Sequence, residues 1–229
     1  MTRKRFVAIL FSALVAVQAA GADRLTEAEL PPLAEIEQLV EAKLAESSPE
    51  LRAEELRSMV KTLEKTVIIR RSNAKETQRF SELAARLAVS PLSRAVEFRL
   101  FRHRPSSGHV FPAMAVGETI YVSEELGFVP ADELTALVAH EMSHDPRDFV
   151  RLLVVDGSNL PDRTKEALRR RTEMRADQRA TKMLADAGSD PRSLVSLLEH
   201  LKGGMDDAAL EERIAEIRKH LPTRVAGTP

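Results

Sequence analysis

The sequence predicts a mostly helical α+β fold in which a small β-sheet precedes the helix with the most informative motif. Three observations lead to this prediction. Charged residues make up 30% of the 229 residues and aromatic residues only 4%, a composition that favours helices over an all-β fold. Apolar residues recur at helical spacing through much of the chain. Residues 95–122 carry short β-branched and aromatic runs, which are typical of strands.

The first 22 residues have the pattern of a secretory signal peptide: a basic start at residues 3–5, an apolar stretch at 6–17 and small residues at 20–22. A membrane anchor is the alternative, but about 12 apolar residues are fewer than the roughly 20 that a span needs. The chain has no Cys, which excludes a lipoprotein anchor, disulfides and a cysteine nucleophile. We therefore expect an exported bacterial protein, periplasmic or secreted, without a membrane span after cleavage.

Residues 23–90 are expected to form an N-terminal helical segment that packs on the domain after it. A cap over a functional site, or an arm that binds a partner, is the alternative interpretation. The apolar residues that recur at helical spacing are Leu33, Ile36, Val40 and Leu44, then Leu56, Met59, Val60, Leu63 and Val67, then Phe80, Leu83, Ala84 and Leu87. The domain with the motif is predicted over residues 91–222, and residues 223–229 are expected to be a flexible tail.

The small sheet is predicted from residues 96–101, 109–115 and 119–122, which are rich in apolar, aromatic and β-branched residues. Gly117 is expected to make the turn between the last two strands. An exposed edge of this sheet is suited to pairing with an extended peptide substrate.

Helices are predicted after the sheet. Pro130 opens the first, and Pro146 ends or kinks it just after residue 144, because proline lacks an N–H group and disfavours helix at the residue before it. The later helices are predicted over residues 163–187, 190–202 and 206–220. Gly188 is expected to end the longest of them.

The sequence His-Glu-Met-Ser-His at residues 140–144 is the most informative feature for function. On a helix, residues four apart share a face, so His140 and His144 can point at one metal ion. Glu141 lies beside them, where it can reach a metal-bound water, and two imidazoles with a carboxylate base are the working groups of a zinc hydrolase. The alternative is a solvated helix, since an accidental match occurs on the order of once in a hundred such sequences.

A catalytic zinc ion usually has three protein ligands, so a third must come from elsewhere in the chain. Glu173 is the best candidate, because Asp177 lies one turn further along the same face and suits an acid that orients a ligating histidine. The alternative is a solvated charged helix, which the arginines at residues 169–171 favour. Candidate donors to an oxyanion are His109, His200 and Arg213, with a structural role as the alternative for each.

Several further motifs, in order along residues 110–217, resemble the zinc metallopeptidase family of the CAAX prenyl protease, HtpX and BepA. Besides His-Glu-x-x-His and Glu-x-x-Ala-Asp, the matching segments are residues 120–123, 132–139, 176–180 and 187–191. The resemblance implies a zincin-like metallopeptidase domain with one zinc ion. Its ligands would be His140, His144 and Glu173. Glu141 would be the catalytic base, and Asp177 would be the acid behind a ligand.

Three features depart from the family pattern. Pro146 follows the second histidine, and Gly117 stands where relatives often have paired glycines. Asp207 stands where relatives tend to have a histidine, six residues before an arginine that Arg213 matches. The resemblance therefore does not assign Arg213 to the oxyanion as it assigns the zinc ligands. We also expect the substrate groove to differ from that of the relatives.

The resemblance predicts a zinc-dependent endopeptidase of the bacterial cell envelope, which cleaves protein or peptide substrates such as misfolded envelope proteins in quality control. One alternative is a metal-binding chaperone or adaptor of the same fold with weak or no proteolysis. Another is a helical envelope protein with an accidental motif. The formal net charge of -1 gives no indication of a nucleic-acid partner.

Overall fold

A computed structural model describes residues 32–46, 54, 57, 60–61, 67–70, 73–103, 112–156, 158, 160–202 and 207–221. The predicted signal peptide and C-terminal tail lie outside the described residues. The described residues divide into two compact units, those within Met1–Met59 and Arg147–Thr172, and those within Val60–Pro146 and Glu173–Pro229. The domains predicted over residues 23–90 and 91–222 follow chain order, whereas each unit combines two separate stretches.

The described part of the chain contains seven α-helices longer than one turn, four strands and one 3-10 helix. In chain order they are α1 (Leu33–Glu46), β1 (Val67–Arg70), α2 (Ala74–Leu87), β2 (Glu97–His103), β3 (Ala113–Val116), β4 (Thr119–Ser123), the 3-10 helix (Glu124–Phe128), α3 (Ala131–Ser143), α4 (Asp148–Asp156), α5 (Asp162–Asp186), α6 (Arg192–His200) and α7 (Asp207–His220). A mostly helical chain with a small sheet is therefore confirmed. Within the described residues, no helix combines the length and the apolar character that a membrane span requires.

The first unit contains α1, α4 and the beginning of α5. Its core consists of apolar residues from the three helices and the loop before α5: Ile36, Val40, Leu44, Val150, Val155, Leu160 and Leu168. The spacing of the α1 residues is the one expected for a helix that buries a single face, which confirms that helix. Helix α4 is absent from the sequence-based prediction. Its nine residues carry too few turns for a clear helical period.

The four strands of the second unit form one mixed sheet in the order β1-β2-β4-β3. Strand β2 pairs antiparallel with β1 and parallel with β4, and β3 pairs antiparallel with β4. The predicted strands at residues 96–101 and 119–122 are confirmed. Of the prediction at 109–115, residues 113–115 lie in β3 and 109–111 lie outside the described residues. Gly117 makes the turn after β3 with a φ of 60°, a left-handed conformation that favours glycine.

Strand β1 corrects the prediction that residues 23–90 form a helical segment. Val67, Ile68 and Ile69 are β-branched, and they pair with residues 101–103 of β2. The Val67 side chain is fully buried, as a helical stripe would also require. The spacing from Leu63 to Val67 fits either structure, so it did not identify the strand.

Helices α2, α3, α6 and α7 form the helical part of the second unit with the later part of α5. Helix α2 begins with a capping box, in which the Asn73 side chain accepts from the backbone of Glu76 and the Glu76 side chain accepts from the backbone of Asn73. Helix α3 contacts α2, α6 and β3. Every residue of α3 from Glu133 to Ser143 is buried, so this helix lies inside the core rather than on its surface.

The C-terminal end of α3 lies one residue earlier than the sequence predicts. Ser143 is the last helical residue, and His144 has an extended backbone with φ -63° and ψ 135°. Pro146 explains the early end, because it cannot donate to the carbonyl of Met142 and disfavours helical geometry before it. The long helix α5, its end at Gly188 with a φ of 67°, and α6 and α7 are as predicted within a few residues.

Candidate metal centre

His140 and His144 bring their imidazole rings together at the end of α3. The Nε2 atoms are 3.2 Å apart, and the ring planes meet edge to face with centroids 4.9 Å apart. His140 is helical, whereas His144 is the first residue beyond the helix. The convergence therefore depends on the backbone after Ser143 as well as on the helical period.

Glu173 of α5 completes a group of three possible ligands. One carboxylate oxygen lies 3.3 Å from Nε2 of His140, and the other lies 3.8 Å from Nε2 of His144. One ligand atom from each residue falls within 4.8 Å of the others, so the group could hold a metal ion. Two imidazole nitrogens and one carboxylate oxygen form a donor set that zinc accepts, with a fourth position left for water.

Asp177 lies behind His140, one turn beyond Glu173 on α5. Its Oδ1 atom is 2.9 Å from Nδ1 of His140, although the ring N–H does not point along a well-directed hydrogen bond. The Asp177 side chain is 2% exposed. Burial alone would raise the pKa of Asp177, but hydrogen bonding to Arg213 and the contact with His140 lower it below its usual range. Asp177 is therefore a carboxylate placed to orient the His140 ring.

Arg213 of α7 holds both carboxylates of α5. Its Nε and Nη2 atoms donate to the two oxygens of Asp177 at 2.7 and 2.8 Å, and Nη1 lies 3.1 Å from Glu173. Burial opposes the charge of Arg213, but its bonds to Asp177 outweigh burial and raise its pKa. A candidate oxyanion donor thus has all three of its nitrogens directed at carboxylates. No sequence spacing links Arg213 to α5, because the two helices are far apart in the chain.

The charges of the three possible ligands differ. Burial would lower the pKa of His140, but the contacts and charges of Asp177 and Glu173 raise it to about 10. Burial would raise the pKa of Glu173, but the contact with His140 and nearby positive charges lower it well below its usual range. Burial and the neighbouring His140 lower the pKa of His144. Without a metal, His140 therefore carries a proton at neutral pH, and His144 does not.

Glu141 is 5% exposed, and the charges of His140 and His144 both act on its carboxyl group. Burial is the main cause that raises its pKa, while the charges of His140 and His144 act in the opposite direction. A carboxylate with a raised pKa is better matched to accepting a proton near neutral pH than an exposed glutamate.

Two arginines that the sequence analysis missed contact the end of α3. Arg94 donates to the carbonyls of Met142 at 3.2 Å, Glu141 at 3.5 Å and Gly117 at 2.8 Å. Arg179 donates to the carbonyl of Ser143 at 3.3 Å. Burial is the main cause that lowers the pKa of Arg94. The last four carbonyls of a helix have no helical partners. The helix end that Pro146 predicts is therefore the sequence signal that could have pointed to such donors.

The other predicted site residues have separate positions. His200 lies at the end of α6, and its Nδ1 atom is 2.5 Å from the Glu133 carboxylate in the first turn of α3. Glu133 precedes His140 by two helical turns, about 10 Å along the axis, so the structure does not bring His200 to the centre. His109 lies outside the described residues. Asp207 is the first residue of α7, and its side chain is exposed.

Comparison with known protein families and with curated proteins finds no match to this chain.

Proposed function

We propose that this protein is a zinc-dependent endopeptidase with a zincin-like domain, related to the CAAX prenyl protease, HtpX and BepA. The observation that carries the proposal is the convergence of His140, His144 and Glu173 next to the buried Glu141. An accidental His-Glu-x-x-His would not by itself bring a carboxylate from a helix about 30 residues further on to both imidazoles.

His140, His144 and Glu173 would hold one zinc ion. The donor chemistry fits, since zinc takes imidazole nitrogen and carboxylate oxygen in three-ligand catalytic sites. When bound, zinc would supply a Lewis acid that lowers the pKa of a coordinated water towards about 7 and polarises a carbonyl group.

The residues around the metal would divide the remaining work. Glu141 would accept the proton of the attacking water and pass it to the leaving amine, which its burial and raised pKa favour. Asp177 would keep the His140 ring turned towards the metal. Arg213 would hold the Asp177 and Glu173 carboxylates in place.

An extended polypeptide would bind along β3. In the described part of the sheet, β3 lies at the edge, with β4 as its neighbour, and it contacts α3. A free strand edge offers backbone N–H and C=O groups that do not depend on the side chains of the substrate. This mode suits misfolded proteins as substrates, and export to the cell envelope would follow from the signal-peptide pattern of the sequence.

The test compares the wild-type chain with a Glu141→Gln variant and a Glu125→Gln control at an exposed position. We expect Glu141→Gln to keep stoichiometric zinc and to lose casein hydrolysis by roughly 100-fold or more, because a general base contributes on the order of 10²–10⁴. The control should cleave at the wild-type rate. Equal cleavage by Glu141→Gln and the wild type would contradict the proposal, as would a wild-type chain that takes up no zinc.

A metal-binding chaperone or adaptor with little proteolysis is the second candidate. One observation favours it: the nitrogens of Arg213 are directed at carboxylates rather than towards a possible oxyanion. This candidate predicts a zinc-loaded wild-type chain that does not cleave casein but slows the aggregation of an unfolded protein. Glu141→Gln should then suppress aggregation as well as the wild type does.

A further inference from the structure

The early end of α3 leaves the metal centre without the usual support of a continuing helix. His144 follows the last helical residue and has an extended backbone, so no helical turn continues beyond it. Contacts from outside the helix therefore add to the support of its last turn, which carries Glu141 and leads to His144.

Arg94 makes the contacts that this task requires. Its guanidinium group reaches the carbonyls of Glu141 and Met142 at the end of α3, and the contact with Glu141 is the longest of the three, at 3.5 Å. A third contact, at 2.8 Å, goes to the carbonyl of Gly117 in the turn between β3 and β4. One side chain thus joins the residues that precede His144 to the hairpin formed by β3 and β4.

The chemistry of the arginine side chain suits these contacts. A guanidinium group presents N–H donors in several fixed directions, whereas a lysine ammonium is a single point. A positive charge at the C-terminal end of a helix also interacts favourably with the helix dipole. Arg94 is half-buried, and the turn before it is held by Ser93, which donates to the carbonyl of Ala88.

We propose that Arg94 is a positioning residue of the metal centre, which fixes the end of α3 against the β3–β4 turn and so sets the place of His144 and Glu141 relative to β3. The proposal rests on the metal centre proposed above. Arg94 does not touch the ligands' side chains, so it acts through the backbone that carries them.

The experiment measures metal binding by the full chain with Arg94→Lys, and Arg99→Lys serves as the matched control. Arg99 is exposed, and its described partner is the exposed Glu97 at 3.2 Å. Zinc affinity is measured by competition with a chromophoric chelator, and ligand geometry is measured from the visible absorption of the cobalt-substituted chain. Circular dichroism checks that each variant is folded at the temperature used.

We expect Arg94→Lys to weaken zinc binding about tenfold, the lower end of the effect of removing an outer support of a metal ligand. The cobalt spectrum should change with it, while Arg99→Lys matches the wild type in both measurements. Arg179→Lys, which loses one contact with the carbonyl of Ser143, should have a smaller effect. At saturating zinc, Arg94→Lys should also lower kcat more than it changes KM, because the position of Glu141 changes.

Wild-type zinc affinity and an unchanged cobalt spectrum in folded Arg94→Lys would overturn this proposal alone. A wild-type chain that binds neither zinc nor cobalt would overturn both this proposal and the proposed function. If Arg94→Lys does not fold, Arg94→Gln, which retains a donor to one carbonyl, replaces it with the same expected and contradicting results.

Discussion

Two clusters of charge, one in each unit, are built around an arginine between two carboxylates. In the first unit, Arg151 of α4 contacts Glu41 of α1 and Asp148 one turn before it. The Arg151 and Asp148 side chains are 12% and 11% exposed, so this group is partly desolvated. The described ion pairs of Arg151 are with these two acids, and they join α1 to α4. This cluster has the composition of a structural ion pair.

The cluster in the second unit differs in what surrounds the carboxylates. Arg213 lies between Asp177 and Glu173 as Arg151 lies between its two acids, with a side chain 13% exposed. Here both imidazoles of the motif also reach the carboxylates, at 2.9 Å from Asp177 and 3.3 Å from Glu173 for His140. In both clusters the arginine holds two carboxylates in place. The neighbouring imidazoles are what distinguish the candidate metal centre from the structural ion pair.

The largest expected effect comes from the histidines, which the second cluster has in addition to its arginine and two acids. His144→Ala should weaken zinc binding by more than about a hundredfold, since the loss of an outer support alone costs roughly 10–100-fold. His200→Ala is the matched control, because His200 is an exposed histidine that contacts Glu133 instead. Competition with a chelator measures both. Similar losses in the two variants would mean that the convergence at the end of α3 is not the metal site.

A second prediction exchanges one acid in each cluster. Asp177→Asn should lower zinc affinity about 10–100-fold, because Asp177 supports His140. Asp148→Asn should leave the affinity unchanged. Both should reduce the free energy of unfolding, by up to about 3 kcal/mol, because each leaves an arginine that is mostly buried with one fewer carboxylate. Chelator competition and urea unfolding test the pair, and a loss of zinc affinity in Asp148→Asn would contradict the distinction between the clusters.

The third prediction concerns the protonation of the ligands and needs no substitution. With a pKa of about 10, His140 is protonated at pH 7 in the metal-free chain, whereas His144 and Glu173 already have the unprotonated form that a metal needs. Zinc binding at pH 7 should therefore release about one proton from His140, and the affinity should rise with pH by up to about tenfold per unit below pH 10. Calorimetry in two buffers of different ionisation enthalpy measures the release. Binding with no proton released would contradict this charge assignment.

Local spacing predicted α1, α2, α3 and α5 to α7, but not α4, and it made Glu173 the best candidate for a third ligand, which the family resemblance also implies. The four-residue period relates His140 to His144 and Glu173 to Asp177, and Pro146 marks the end of α3 within one residue. Strand β1 was missed because the spacing up to Val67 fits a helix, and its pairing with β2 involves residues about 35 positions away.

The two arginines that support the site could not be predicted from the sequence either, because their contacts join residues that are far apart in the chain. Arg94 and Arg213 act over 48 and 36 positions of chain, to Met142 and Asp177. Neither contact has a fixed spacing, and an arginine of this kind looks like any solvated arginine until the chain has folded.

The burial of α3 on all sides has a consequence for how this protein can vary. Because residues from Glu133 to Ser143 are all buried, a scan of substitutions along α3 should show no tolerant face. On a surface helix, tolerance to polar residues returns every three or four positions. In α3 the residues between the ligands should be as restricted as the ligands themselves, so sequences that retain the fold but have lost the activity would still look similar through this helix.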